Sequence, residues 1–425
     1  MGPGCPGQPT PRLATRAVGG AHGEGLHERP RTPPRHRACC RFPPHVGESE
    51  QLRLAGSGWL GVRMASAMAW VGYLPVLLSV PLDLLGIGCS AYREGVVAVV
   101  TGAGGHIGTN LVRSLLAAGR EVRAVDTREP GDLVGLGAAW VAADVRDRDA
   151  LRIAFTDAEV VFHLAAVISV VGGLGGLVSS TNVDGVSACA HAALDAGVPR
   201  FVHCSSIHAY DREACRGTTV TESSPRSTRP TLPTYDRSKA AGETAIRGVI
   251  AQGLDAVILN PSGVIGPRDE GPSRMGTLLL AAARGRLPAT VQGDFDWVDV
   301  RDVVDALLAA EVKGDTGANY LIGGHSADLA TLAAWAADAA GRRRPYADLP
   351  LWFARLRAPA ASLIARRSQN PLLNTWDSLH AVESRPRVNH TPATTVLGHH
   401  PRPLRETVAD LVTFFTEHGS ITATP

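Results

Sequence analysis

The chain has 425 residues, 44% of them hydrophobic and 19% charged, an ordinary globular composition with ample length for a full core. Formal net charge is +2, and residues 1–94 alone carry ten arginines against six acids, so the rest sits at −2 and offers no basic face to nucleic acid. The seven cysteines match neither a zinc site nor a disulfide framework; Cys189, Cys204 and Cys215 read as buried free thiols, and a reducing, cytoplasmic setting is expected.

Residues 1–63 are rich in Pro, Gly, Arg and His and have neither a period of two nor one of 3.6. They are read as disordered, or as sequence translated ahead of the native start, because such a segment cannot bury enough apolar surface to offset its ordering entropy. Residues 64–94 form a separate apolar segment. Met64 to Leu82 carries no charge, which raises a membrane or signal hypothesis for residues 64–91, but Pro75 and Pro81 interrupt the run and Asp83 closes it. A membrane-associated segment and a loosely attached extension both stay open.

From residue 95 the pattern is regular. Val96 to Val100 reads as a buried strand, Gly102, Gly105 and Gly108 follow, and Ile107, Leu111 and Leu115 mark a helix that ends at Gly119. Gly102 permits the turn off the strand, Gly105 lets backbone approach a pyrophosphate, and Gly108 allows close helix–sheet packing. The helix N-terminus then presents free N–H groups to phosphate, with His106 and Ile107 in its first turn. "EVRAVD" is the next strand, ending at Asp126, 24 residues beyond Gly102. A carboxylate there accepts both adenosine ribose hydroxyls and repels a 2′-phosphate, favouring NAD; Arg128 softens that exclusion and keeps NADP open.

Further strands follow. "AAWVAADVRD" brings Asp144 towards the adenine amino group, and "AEVVFHLAAV" ends at Leu164, Ala165 and Ala166, small enough for the chain to pass under the cofactor. His163 reads as a core or strand-end histidine. "RFVHCSS" ends at Ser205 and Ser206, and "LDAVILNPSGVIGP" ends in a loop with Pro261, Gly263 and Val264. The fold class expected is α/β, a Rossmann doubly wound parallel sheet over residues 95–262, with a smaller substrate-binding part over 263–420 that returns some elements to the sheet.

The chain has two lysines, Lys239 and Lys313, and Lys239 follows Tyr235 by four residues on one helical face. An ammonium there is expected to lower the phenol pKa, and a phenol tuned towards neutrality moves protons on a substrate oxygen. Lysine also has three donors for the nicotinamide ribose. Ser206, four residues before Tyr210, is placed to hold the substrate oxygen. No metal site is expected.

Together "TGAGGHIG", "SSIHAY", "YDRSK", "NPSGVIGP" and "FDWVDVRDVVDAL" resemble the extended short-chain dehydrogenase/reductase family. The resemblance covers residues 95 to about 418 and implies an NAD(P)-dependent enzyme acting on a small molecule, with a homodimer as a fair family expectation. It implies Tyr235 as general acid/base, Lys239 as its partner and Ser206 as third member, with Asp144, Val145 and Asn182 lining the cofactor. Nucleotide-sugar members commonly carry an arginine just before the V-x-D element, where this chain has Gly293-Asp294-Phe295. The apolar "LPLWFARLRAPAASLIA", residues 349–365, is similar to members that act on apolar rings, such as 3β-hydroxysteroid dehydrogenase- and dihydroflavonol reductase-like enzymes. The expected function is hydroxyl–ketone interconversion, and the alternative is a nucleotide-sugar epimerase or dehydratase with tightly bound NAD.

Overall fold

The structure, a computed structural model, describes residues 97–421 except 129–130, 343–346, 369–374 and 385–386. The expectations for residues 1–63 and 64–94 lie outside the described residues.

A seven-stranded parallel sheet organises the chain. Its strands are β1 (Val97–Thr101), β2 (Glu121–Asp126), β3 (Ala139–Ala142), β4 (Ala158–His163), β5 (Arg200–Cys204), β6 (Ala256–Pro261) and β9 (Asn319–Ile322), in the order β9-β6-β5-β4-β1-β2-β3. The central strands are apolar nearly throughout because both of their faces are covered. Alternate residues serve opposite layers. Ala98, Val100, Val160 and Phe162 pack with Leu111 and Leu115 of helix α1 (His106–Ala117), while Val99, Val161 and Phe201 join the opposite core. That second layer includes Val186 of α3 (Val186–Asp195) and Ile246 of α4 (Thr234–Ile250), with α2 (Arg148–Ala154) earlier in the chain.

The order reverses at β1, which pairs with β2 on one side and β4 on the other. The carboxyl ends of β1 and β4 therefore flank the crevice where this topology places ligands. The expected doubly wound α/β fold is the one observed. The seventh strand, β9, is an element that residues 263–420 return to the sheet; its own four-residue run had not been singled out.

A three-stranded sheet lies beyond the main one: β8 (Asp294–Asp299) runs parallel to β7 (Gly263–Ile265) and antiparallel to β10 (His325–Asp328). Phe295 and Trp297 of β8 share a core with Leu279 of α5 (Arg274–Ala283), Leu332 of α7 (Leu329–Ala339), and Val408 and Leu411 of α11 (Leu404–Glu417). Asp299 caps α6 (Val300–Lys313) by accepting the Arg301 N–H. Helices α8 (Leu351–Ser368) and α9 (Trp376–Glu383) meet around a small core of Ala354, Ala358 and Leu379, and α10 (Thr391–Leu397) packs Ala393 and Leu397 onto the main-sheet core.

Candidate active site

The turn from β1 into α1 is built of bare backbone. Gly102 sits at φ +71°, and a Cβ on it would lie 2.7 Å from the Ala165 backbone. A Cβ on Gly108 would fall 2.2 Å from the Gly102 carbonyl oxygen. Gly105 starts α1, whose N-terminus has neither a side-chain cap nor an acid in its first turn. Its N–H groups are thus left to a phosphate. Asp126 ends β2 beside this turn, its carboxylate accepting the N–H of Gly104 at 3.1 Å and of Arg128 at 3.3 Å. A cradle from which side chains are sterically barred, with an acid at its edge, fits a dinucleotide.

Other expected cofactor residues are placed in four ways. Leu164 and Ala165 pass directly beneath the glycine turn, Leu164 N–H bonding the Thr101 carbonyl at 3.1 Å, with half-buried Ala166 next. His106 turns to the Pro267 carbonyl at 3.0 Å and so ties α1 to the loop that follows Pro261, Gly263 and Val264. Ile107, Val145 and Val264 pack into the two sheet cores. Asp144 is held by Arg146, two residues on, through bonds of 2.9 and 2.5 Å, and this pairing keeps its carboxyl below its ordinary range.

Two side chains are spent elsewhere. Asn182 clamps the Val167 backbone through both its amide oxygen and nitrogen, at 2.8 and 2.9 Å, and donates to Ser238 at 3.0 Å. It fixes the chain after β4 to α4. Ser205 donates to Glu243 at 2.7 Å, inside a buried cluster with Asn260 and Asn319. The two adjacent serines therefore separate, because successive side chains leave an extended segment on opposite faces.

Ser206 neighbours Tyr235, and its hydroxyl accepts the His208 N–H at 3.3 Å. Tyr235 and Lys239 lie one turn apart near the start of α4, both buried. The expected acidification of the phenol is not what the surroundings produce. Burial pushes Tyr235 up; the Ser206 hydroxyl opposes this and the Asp236 carboxylate adds to it. Burial likewise pushes the Lys239 amine down, with Cys204 and Glu243 drawing it back. Helical spacing puts the two residues one turn apart but is blind to desolvation, the largest effect on each here. Lys239 reaches towards the ends of β4 and β5, where its charge adds to burial in depressing the stacked imidazoles of His163 and His203. His163 is fully buried and bonded to Thr101 Oγ1 at 2.7 Å. Cys189, Cys204 and Cys215 are buried free thiols.

One cluster escaped the sequence reading. His208 packs edge-on to the Tyr235 ring, centroids 5.1 Å apart, and its Nδ1 lies 2.7 Å from Asp236. The other Asp236 oxygen takes a 2.7 Å bond from the buried Arg212. Although burial pushes the Asp236 carboxyl up, His208 and Arg212 hold it below the usual range. Asp236 follows Tyr235 directly, and an acid beside that tyrosine was the available signal.

A cleft of ≈ 630 Å³ adjoins the start of α4. Its walls are Val170 and Val171 after β4, Leu232 and Pro233 before α4, Pro359 and Leu363 of α8, and Trp376 of α9, with Arg237, Asp377 and His380 as polar groups. Among the described residues no group of His, Cys, Asp and Glu is arranged to hold a metal ion.

Residues 98–323 match the model of the NAD dependent epimerase/dehydratase family. The chain is 34% identical over 332 residues to sterol demethylase protein B of Methylococcus capsulatus, covering 76% of this chain and 99% of that one. It is 30% identical over 332 residues to a putative dihydroflavonol 4-reductase of Synechocystis, covering 76% and 95%. Among solved structures, that of gox2253 superposes with a TM-score of 0.66 at 30% identity, covering 77% of this chain and 99% of that one.

Proposed function

The chain belongs to the NAD dependent epimerase/dehydratase family, a group of extended short-chain dehydrogenase/reductases, and on that premise we propose that it interconverts a hydroxyl and a ketone on an apolar ring substrate. The enzyme is NAD-dependent, as its family is. Gly102, Gly105, Gly108 and the α1 N-terminus would hold the pyrophosphate, Asp126 the adenosine ribose, and Lys239 the nicotinamide ribose. When bound, the dinucleotide supplies a hydride acceptor or donor. Residues 95–262 would carry it, and residues 263–420 mainly the substrate.

Ser206 holds the substrate oxygen by a hydrogen bond. Tyr235 gives that oxygen its proton or takes it away, and Lys239 offsets the negative charge left on the phenolate. The burial of Tyr235 and Lys239 keeps water from the transfer.

The observation that carries this reading is Tyr235, buried with Ser206 and Lys239 and next to Thr234 in the wall of a cleft lined mainly by apolar side chains. A space of this size suits a fused-ring molecule. The similarity to a sterol demethylase protein and a putative dihydroflavonol reductase supports the same substrate class. Against a nucleotide-sugar substrate, Gly293 stands where an arginine would be wanted, and a Cβ there would meet the Val382 carbonyl oxygen at 2.8 Å. The test is a panel of hydroxysteroids, dihydroflavonols and UDP-sugars, read as reduced nicotinamide formed from added NAD. Net reduction with a ring alcohol supports the reading. Turnover confined to UDP-sugars, with NAD retained through purification, would replace it with an epimerase or dehydratase.

A further inference from the structure

Helix α8 is packed opposite to the usual sense for a water-facing helix. Its inward residues are small: Ala354, Ala358 and Ala365 are 3%, 0% and 3% exposed. Its large apolar residues point out: Trp352, Leu356, Leu363 and Ile364 are 68%, 73%, 57% and 54% exposed. Trp352, Leu356, Pro359 and Leu363 follow one another at steps of four, three and four residues, forming a continuous stripe. Trp376 of α9 extends it at 59% exposure. Across the cleft, the segment that supplies Val170 and Val171 also exposes Ile168 and Leu174. Leu363 and Trp376 line the cleft themselves, so its mouth opens within an apolar rim. An exposed patch of this kind marks a surface that something covers.

The charges select the occupant. The α8 sequence carries four arginines and no acid, and α9 adds two acids, Asp377 and Glu383, of which Glu383 pairs with Arg355. A second copy seated through this face would bring two cationic helices together, and any folded partner would close the cleft. A fluid anionic bilayer does neither. It accepts apolar side chains beneath its headgroups, attracts the arginines, and suits tryptophan at the boundary. No helix of the described residues is long and apolar enough to cross a membrane, so contact would be interfacial. We propose that α8, α9 and the Ile168–Leu174 segment dock on the surface of an anionic lipid bilayer, with the cleft mouth facing the lipid. This rests on the surface alone; its failure would leave the proposed reaction standing, and failure of that reaction would leave this surface standing.

The test is co-sedimentation of the full-length protein with vesicles of phosphatidylcholine, with and without phosphatidylglycerol. Wild type should sediment with the anionic vesicles, less so in high salt. The double variant Trp352→Ser/Leu356→Ser, whose residues lie outside the cleft wall, should lose about tenfold or more in partitioning while keeping its thermal unfolding and NAD binding. Should it fail to fold, Arg357→Glu should abolish the preference for phosphatidylglycerol. Absence of wild-type binding overturns the proposal, as does equal binding by the folded variants. So does a fall in solution mass of the double variant, which would mean that a second copy covers the face.

Discussion

Tyr235 and Lys239 could be picked out from spacing alone, yet the direction of the phenol's pKa could not, because it depends on how deeply the fold buries the ring. With burial holding the phenol above its ordinary value of about 10, the proton stays in place across neutral pH. Ketone reduction, which needs that proton, should therefore hold level from neutrality to about pH 10, whereas alcohol oxidation should climb as pH rises. A reductive rate that falls between pH 7 and about pH 9 would contradict this. The His208–Asp236–Arg212 cluster was illegible for a different reason: its members are brought together by the turn after β5 and the start of α4. Both Asp236 and Arg212 are buried, so Arg212→Ala leaves a buried carboxylate with His208 but without its guanidinium partner. A loss of about 3–5 kcal/mol in urea-unfolding stability is expected, with Arg212→Lys recovering part of it.

Among the elements, β1, the glycine turn, α1 and β2 were legible because each obeys a short-range rule: a buried β-branched run, a backbone turn, a 3.6 period. Gly102→Ala should strain the turn twice, through a positive φ and through the approach to Ala165. A local cost of about 1–2 kcal/mol corresponds to roughly a tenfold loss of NAD affinity, measured by fluorescence titration. Gly108→Ala should do more harm, since its Cβ would overlap the Gly102 carbonyl. Unchanged affinity in both variants would remove the turn from the cofactor site. The serine pair shows where local rules stop. Ser205 and Ser206 both follow the same strand, and only the position of Glu243 on α4 shows that the Ser205 hydroxyl is already engaged. The cleft walls were equally hidden, since they come from the segment after β4, the loop before α4, α8 and α9.

At the scale of the molecule, the doubly wound order was readable from repeated strand–helix units, and a return of some elements from residues 263–420 was expected, but not which run would supply β9. Folding also seals two imidazoles between β4 and β5. His163 is drawn down to about 3 by burial and then by Lys239, and His203 is lowered in the same sense. The unfolded chain binds these protons near pH 6.5 and the folded one does not, so stability should rise with pH between about 3 and 6.5. Each such histidine contributes a slope of about 1.4 kcal/mol per pH unit. His163→Asn should flatten part of that slope in urea midpoints taken across the range, and an unaltered slope would place the acid sensitivity elsewhere.

The most direct measurement compares wild type with Tyr235→Phe, titrating NAD and then following nicotinamide reduction with a hydroxysteroid that the wild type oxidises. The expected result is NAD affinity within about twofold of wild type and turnover lower by about 10²–10⁴. Turnover equal to wild type would contradict the assignment of proton transfer to this phenol.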